Sequence, residues 1–565
     1  MQKQEVNDKI TLGIHIGHDR GACIIRNAKV LGMIAQERLD RIKYSRSYSL
    51  PFEAINSLFD YCKINITQID CIGVSCDAIE GNSLLELIQE EFENYYNITI
   101  PFLMVSHHDA HAYAAYYSSG MDESLILVAD GGGDYVGDMV EAESLYIGKC
   151  GKIKKIAQRL QAPTIRRLSD MANYVYPLMP SVTKKAPISI ARKYEQITYL
   201  LGFGWGEAGK TMGLASYGKP IFTTKLPSIT DFDYTLTYAD LLEDIFIQQS
   251  LSDLPFHAFI QQNRADIASS VQYLTQKTII ALVNMLFMRY HCKNICLSGG
   301  LFLNCLSNQG IITQSHPDNI FILPCAGDDG QALGCAYYVY VHYVKPIQRF
   351  EIQLPYLGLS YENDEIERIL ISKGLDYIYL EDKELARRVS QLIAKNKIIG
   401  LHRGRTEVGP RALCHRSILA NPANPEMKDI LNKRVKHREE FRPFAPSVIA
   451  EEQDIYFDLS ISSDFMLLAT DVYVQYRDNL ASVTHIDGTA RVQAIHQEQD
   501  SFTHYMLNCI KEEIGVPIVL NTSFNVAGDP IVESPEDAIN TYLKTDIDIL
   551  VIGNYIIENK DVKIQ

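Results

Sequence analysis

Residues 107–134 hold the residue types best suited to chemistry: H-H-D-A-H-A-Y-A-A-Y-Y, a turn, then S-L-I-L-V-A-D-G-G-G-D. His107 and His111 are four positions apart, so on a helix both imidazoles leave one face and can share a metal ion. Residues 125–129 read as a buried strand ending at Asp130, and Gly131, Gly132 and Gly133 leave backbone N–H groups open to an anion. A lone histidine pair is more often a surface feature beside an ordinary glycine turn. The strand, aspartate and three glycines that follow shift the reading to a metal carboxylate beside a phosphate turn.

Three further stretches could join this chemistry. Ser298-Gly299-Gly300, after a strand at 294–297 and ahead of a helix containing Asn304, reads as a second anion turn at a helix N-terminus. In A-G-D-D-G, Asp328 ends a strand at 320–323, as Asp130 ends its own, and is placed to complete the metal site with His107 and His111. Capping of the helix 331–344 would explain one of these two aspartates without a metal. Residues 204–211 match the phosphate-loop pattern G-x4-G-K-[ST], with 199–203 as the strand before it. Gly213, Gly218 and Pro220 would break a helix starting at Lys210 within a few turns, so this is not a true phosphate loop. Either it is a glycine-rich active-site loop in which Lys210 meets a nucleotide phosphate, or the match is coincidental.

The second half concentrates cations. Between Arg403 and Arg442 the chain carries Arg405, Arg411, Arg416, Lys428, Lys433, Arg434, Lys436 and Arg438 against Glu407, Glu426, Asp429, Glu439 and Glu440. The whole chain has net charge −16, which disfavours a nucleic-acid footprint. An acidic protein with one basic segment is built to hold a small anion there, and arginine forks suit phosphate. A solvated basic face is the ordinary alternative. Gly409-Pro410, Leu413 and Ile418 interleave the charges, and F-R-P-F-A-P-S-V after them is too apolar for a free surface.

The positioning elements follow from pattern. At 565 residues the chain should form about two to four domains. A strand at 9–16, the turn Gly17-His18-Asp19-Arg20-Gly21 and a hairpin of 22–25 with 30–35 form one unit. The same order returns at 125–129, 130–134, 139–147 and 153–160, with helices such as 51–62 and 84–95 between, which predicts a duplicated α/β domain with its ligand between the halves. A helix at 271–290 follows. A linker is expected around 343–359, then helices at 364–372 and 382–395 and a buried strand at 398–402. The domains are therefore read as 1–345, a linker 346–360, and 361–565. No motif stands out in parts of 141–187 and 222–265. The polar start M-Q-K-Q-E-V-N-D-K argues against a secretory signal. The longest apolar run, 278–288, is too short to span a bilayer; a cytoplasmic protein with no membrane partner is expected. Twelve cysteines without a C-x-x-C pair read as reduced core thiols.

Together, Gly17-His18-Asp19, His107-His108-x-x-His111, Asp130-Gly131-Gly132-Gly133, Gly209-Lys210-x-Met212-Gly213, Ser298-Gly299-Gly300 and Gly327-Asp328-Asp329-Gly330 resemble the bacterial O-carbamoyltransferases of the nodulation, cephamycin and tobramycin type. The second half extends the resemblance in R-x-E-x-G-P-R-A-L, R-E-x-F-R-P-F-A-P, H-x-D-G-T-A-R and V-L-N-T-S-F-N. The resemblance implies an N-terminal threonylcarbamoyl-transferase-like domain, a duplicated ribonuclease-H-like fold of the actin/sugar-kinase/Hsp70 class. An α+β YrdC-like C-terminal domain would form carbamoyl-adenylate from carbamoyl phosphate and ATP with Mg²⁺. Carbamoyl transfer to a hydroxyl of a small-molecule or sugar acceptor would then occur in the first domain. By resemblance His107, His111, Asp130 and Asp328 bind iron(II) or another divalent metal, and His18 sits beside the acceptor hydroxyl as base. Arg411, Lys436, Arg442 and Arg491 hold carbamoyl phosphate and nucleotide phosphates. Asn521, Ser523 and Asn525 line the nucleotide pocket, with Gly131, Gly132, Lys210, Gly299, Gly300 and Asn304 as further nucleotide contacts. Two positions depart from the family pattern: Cys414 stands where glycine is usual, and His402-Arg403 where an aromatic pair and a glutamine are frequent. The competing readings are a tRNA threonylcarbamoyl-adenosine-type enzyme, which the acidic charge opposes, and a non-catalytic ATP-binding regulatory protein.

Overall fold

The computed structural model describes residues 8–77, 82–163, 186–223, 225–237 and 239–558. Most of the polar start and part of the motif-poor stretch 141–187 lie outside them.

The first sheet comprises β1 (Ile10–Ile16), β2 (Gly21–Arg26), β3 (Lys29–Ala35), β4 (Cys71–Cys76) and β5 (Phe102–Met104), in the order β3-β2-β1-β4-β5. Every residue of β1 is buried, because it lies in mid-sheet with both faces covered. The second sheet comprises β6 (Glu123–Ala129), β7 (Tyr135–Val136), β8 (Met139–Lys149), β9 (Lys152–Gln161), β10 (Asn294–Ser298) and β11 (Asn319–Ile322). Here β6 repeats the part of β1. It pairs antiparallel with β8, whose other neighbour is β9, and parallel with β10, which carries β11. With β7 set aside, the order β9-β8-β6-β10-β11 matches that of the first sheet strand for strand, which is the duplication expected from the sequence.

Two helices lie between the repeats. The helix Gln331–Val339 packs on β1, on β4 and on the helix His107–Ser119. A Cβ at Gly334 would stand 1.8 Å from the Ala110 carbonyl oxygen, so only glycine permits this approach. The contact brings Asp328, just ahead of the second helix, over the histidine face of the first.

Two local expectations are corrected. Residues 199–203 are not a strand: the helix Ile190–Leu200 runs into them, started by Ser189 accepting a hydrogen bond from the Arg192 N–H. Asp328 does not end a strand; β11 stops at Ile322, and Asp328 opens a short 3-10 turn. The residues expected to form the linker run along the first sheet. Val30 N–H donates to the Glu351 carbonyl at 2.9 Å and Met33 N–H to Leu357 at 2.9 Å, so 346–360 covers the open edge of β3.

The second half is a nine-stranded mixed sheet of β12 (Ile378–Tyr379), β13 (Ile399–His402), β14 (Arg416–Ala420), β15 (Ala445–Ile449), β16 (Leu468–Asp471), β17 (Thr489–Ile495), β18 (Ile518–Ser523), β19 (Ile549–Ile552) and β20 (Tyr555–Ile557). Its order is β12-β20-β19-β13-β14-β18-β15-β17-β16, with the helices Asp382–Ala394 and Ser501–Ile514 packed on one another. Among the described residues no helix is long and apolar enough to cross a membrane.

Candidate active site

The helix His107–Ser119 carries His107 and His111 inward, both buried. Asp130 follows β6 directly, and Asp328 joins them, so that one ligand atom from each of the four lies within 4.8 Å of the others. His107 Nε2 stands 3.3 Å from Asp328 Oδ1 and 3.7 Å from Asp130 Oδ2, and His111 Nε2 3.2 Å from Asp328 Oδ1. The far ring nitrogens are held behind: His107 Nδ1 donates to the Cys76 carbonyl and His111 Nδ1 meets Ser298 Oγ, each at 3.2 Å. That fixes both rings with Nε2 aimed at the cluster centre. His107 Nε2 is buried without a hydrogen-bond partner. The donor set of two imidazoles and two carboxylates fits a divalent transition metal. Although burial and Asp328 oppose its ionisation, His107 and His111 hold Asp130 well below the usual carboxylate range. His108, between the two, faces away to Ser144 Oγ at 2.7 Å.

His18, in the turn after β1, faces the same cluster from the other side. Its Nε2 is 3.1 Å from Asp328 Oδ2 and its Nδ1 2.8 Å from Asp19 Oδ2. Burial opposes its charge, but Asp328 and Asp19 outweigh it and push His18 up to about 10. Trp205, the chain's single tryptophan, meets His18 edge-on at 5.1 Å and Tyr44 at 4.9 Å.

The cation cluster lies across one cavity of about 590 Å³, lined by His18, Asp130 and Asp328 from the first half and by Arg411, Arg438, Arg442 and Arg491 from the second. Burial, then Arg491, pushes Arg411 down to about 9, and burial, then Arg442 and Arg491, does the same to Arg438. A guanidinium does not give up its proton at these pH values, so the depression reflects charges that are desolvated first and mutually repelled second, and an anion in the cavity would offset both. The Nε atoms of Arg411 and Arg491 are buried without partners.

Other cations of the segment are structural. Arg416, fully buried, donates to the Arg403 and Gly404 carbonyls at 3.1 Å each. Arg405 reaches the Leu31 carbonyl at 2.8 Å and that of Leu357 at 2.6 Å, tying the linker to the first sheet. Lys436 lines the cavity, yet its ammonium is taken up by the Ser523 carbonyl and hydroxyl and by Asn525. It shapes the 523–525 loop. Asn521 lines the cavity too, with its amide donating to the Ala412 carbonyl and Ser447 Oγ at 3.2 and 3.0 Å.

The glycine turns do less than their pattern promises. Gly299 N–H donates to the Ala326 carbonyl at 2.7 Å, Gly300 N–H to Asp130 Oδ1 at 2.7 Å and Gly133 N–H to the Glu141 carbonyl at 3.0 Å. Gly299 has φ +102° and a Cβ there would stand 2.3 Å from the Ala129 carbonyl oxygen, so its role is to let the two turns meet and present Asp130. Gly131, Gly132 and Gly300 line the cavity. Asn304 lines it as well, but its side chain caps the helix Cys305–Ser315 by accepting from the Ser307 N–H at 3.0 Å. Lys210 is paired with Glu207 and Glu439. Thr211, the last residue of the phosphate-loop match, is buried against Thr198 Oγ1 at 2.9 Å. Sequence reasoning missed Arg438 as a cavity residue, although it named it in the basic segment, and missed His15 and Asp77 beside Asp328. Their signal was only proximity to the G-H-D turn and to the strand end at Cys76.

Residues 82–337 match the family model described as Carbamoyltransferase N-terminus, and residues 390–559 that described as Carbamoyltransferase C-terminus. The chain is 32% identical to the nodulation protein NolNO of Sinorhizobium fredii, over 96% of this chain and 79% of that one. It is 24% identical to a 3′-hydroxymethylcephem-O-carbamoyltransferase of Amycolatopsis lactamdurans, over 95% and 97% of the two chains. Among solved structures, full-length HypF in the phosphate- and nucleotide-bound form aligns at a TM-score of 0.41 and 14% identity, covering 60% of this chain and 56% of that one. With both halves matched in order and a relative aligned over nearly its whole length, the chain belongs to the O-carbamoyltransferase family and is a carbamoyltransferase.

Proposed function

We propose that the chain is an ATP-dependent O-carbamoyltransferase with the two half-reactions divided between its halves. The observation that carries this is one cavity of about 590 Å³ lined both by the arginine cluster and by His18, Asp130 and Asp328. In the C-terminal, YrdC-like part, residues 361–565, the arginines would neutralise carbamoyl phosphate and ATP, which arrives with Mg²⁺. Carbamoyl phosphate is split by water to carbamate and phosphate. The carbamate oxygen then attacks the α-phosphorus of ATP, forming carbamoyl-adenylate and expelling pyrophosphate. An adenylate is easily hydrolysed, so a closed path to the second site preserves it.

In residues 1–345, the duplicated ribonuclease-H-like part, the acceptor hydroxyl attacks the carbamoyl carbon. The C–O bond to AMP breaks and a carbamate ester forms. His107, His111, Asp130 and Asp328 would hold the divalent metal, iron(II) by family resemblance, which supplies Lewis acidity toward the carbamoyl oxygen. His18 takes the hydroxyl proton at Nε2. That role requires it neutral; a metal on Asp328 would offset the largest of the carboxylate influences that favour its charge, while Asp19 at Nδ1 keeps the ring oriented. The acceptor is a hydroxyl-bearing small molecule or sugar.

The test separates the halves. With carbamoyl phosphate and ATP, Arg442→Ala should abolish pyrophosphate release, whereas His18→Asn should release pyrophosphate and fail to carbamoylate an acceptor. Normal transfer by His18→Asn would remove the base assignment, and no pyrophosphate from the wild type would remove the adenylate.

A further inference from the structure

Asp328 presents its two oxygens to different groups. Oδ1 faces His107 and His111 at 3.3 and 3.2 Å, while Oδ2 faces His18 at 3.1 Å and His15 at 3.9 Å. Around Oδ2 a second set of ligand atoms converges: His15 Nε2, Asp77 and Asp328 all lie within 4.8 Å of one another. His15 is 0% exposed, and its Nδ1 is held by Ser75 Oγ at 2.9 Å. Its Nε2 is buried with no hydrogen-bond partner, 3.7 Å from Asp77 Oδ1. Those separations are too long for hydrogen bonds. They approach the distances of about 3–4 Å between ligands that share one ion at bonds of roughly 2.1 Å.

We propose that Asp328 bridges two divalent cations, one held with His107, His111 and Asp130 and a second held with His15 and Asp77 at the other oxygen of the same carboxylate. The inference rests on the metal reading of the first set. Two arrangements of the chain support a second ion. The fixed Ser75 contact aims the His15 lone pair at the two carboxylates, as the Cys76 carbonyl aims that of His107. In addition, β1 and β4 are parallel neighbours with His15 registered against Ser75, so His15 and the Asp77 that follows β4 come to the same sheet end on rigid strands. One imidazole and two carboxylates suit Mn²⁺, Fe²⁺ or Zn²⁺, with water or substrate oxygen from the cavity completing the shell.

The experiment loads metal-free full-length protein with Mn²⁺ and measures bound metal per chain together with the electron paramagnetic resonance spectrum. Two equivalents and an exchange-coupled pair are expected. His15→Ala and the near-isosteric Asp77→Asn should each bind one equivalent with the spectrum of an isolated ion, their far-ultraviolet circular dichroism unchanged. One equivalent in the wild type, lost in His107→Ala, would overturn the second site and leave the first standing; no binding at all would remove both. Two equivalents that persist in both His15→Ala and Asp77→Asn would also overturn the proposal.

Discussion

Lys210 Nζ lies 2.7 Å from Glu439 Oε1 and 2.6 Å from Glu207 Oε1, joining the helix Ala208–Ala215 to the loop that carries Arg438 and Arg442. The lysine that completes the phosphate-loop pattern is thus a clamp between the two halves. Both partners are partly exposed, and such a pair contributes about 0.2–1 kcal/mol. Lys210→Met should therefore weaken ATP binding, measured by calorimetric titration, by less than about fivefold. A loss well beyond tenfold would return the lysine to the phosphates.

Cys414 has φ +76°, the left-handed region in which a side chain costs about 1–2 kcal/mol. That cost would account for the glycine that the family resemblance leads one to expect there. The cysteine is retained by its contacts with Asn521 Nδ2 at 3.2 Å and Ser447 Oγ at 3.4 Å. Cys414→Ala and Cys414→Gly both remove the thiol, but only glycine relieves the backbone. In urea denaturation the glycine variant should be more stable than the alanine variant by about 1 kcal/mol. Equal stabilities would mean that the strain is absorbed elsewhere.

The duplicated sheet was legible because its strands are either largely apolar, as β1 and β6 are, or separated by glycine turns with a fixed order of neighbours. Three members of the His107, His111, Asp130 and Asp328 cluster were legible for a similar reason: His107 and His111 share a helical spacing, and Asp130 follows an evident strand. Roles that depend on what a backbone N–H or a lysine amine meets were not legible. The N–H groups of Gly299 and Gly300 are consumed by Ala326 and Asp130, and the amine of Lys436 by a loop almost ninety residues downstream. His15 escaped notice because inside an apolar strand a histidine looks like a core residue until Asp77 and Asp328 are placed around it.

His402, at the end of β13, is 2% exposed and its Nε2–H donates to the Glu533 carbonyl at 2.7 Å. Burial, then Arg416, holds its pKa well below the ordinary value. The folded protein therefore keeps this ring neutral below pH ~6.5, where the unfolded chain takes up a proton. Stability linked to His402 is full above that pH and falls by about 1.4 kcal/mol per unit as pH drops through the window between the two pKa values. His402→Gln, which retains an N–H donor, should flatten the stability profile just below about pH 6.5 by up to one proton's slope. An unchanged slope would show that other groups set the acid limit.

Ser298 closes β10, and among the described residues its hydroxyl meets one candidate ligand, His111, at Nδ1 and 3.2 Å. Its effect on the metal should thus be indirect: the hydroxyl fixes the ring orientation and leaves Nε2 to face Asp328. Removing such a support typically weakens metal affinity about 10–100-fold. Ser298→Ala should show a loss of that size in a competitive titration against a chromophoric chelator, with pyrophosphate release from carbamoyl phosphate and ATP left near the wild-type rate. The second readout separates ring orientation from damage to the fold, because Arg438, Arg442 and Arg491 of the cavity come from the C-terminal half and not from β10. Unchanged affinity would mean that the helix His107–Ser119 alone orients His111. Loss of both readouts would mean that Ser298 holds the domain together.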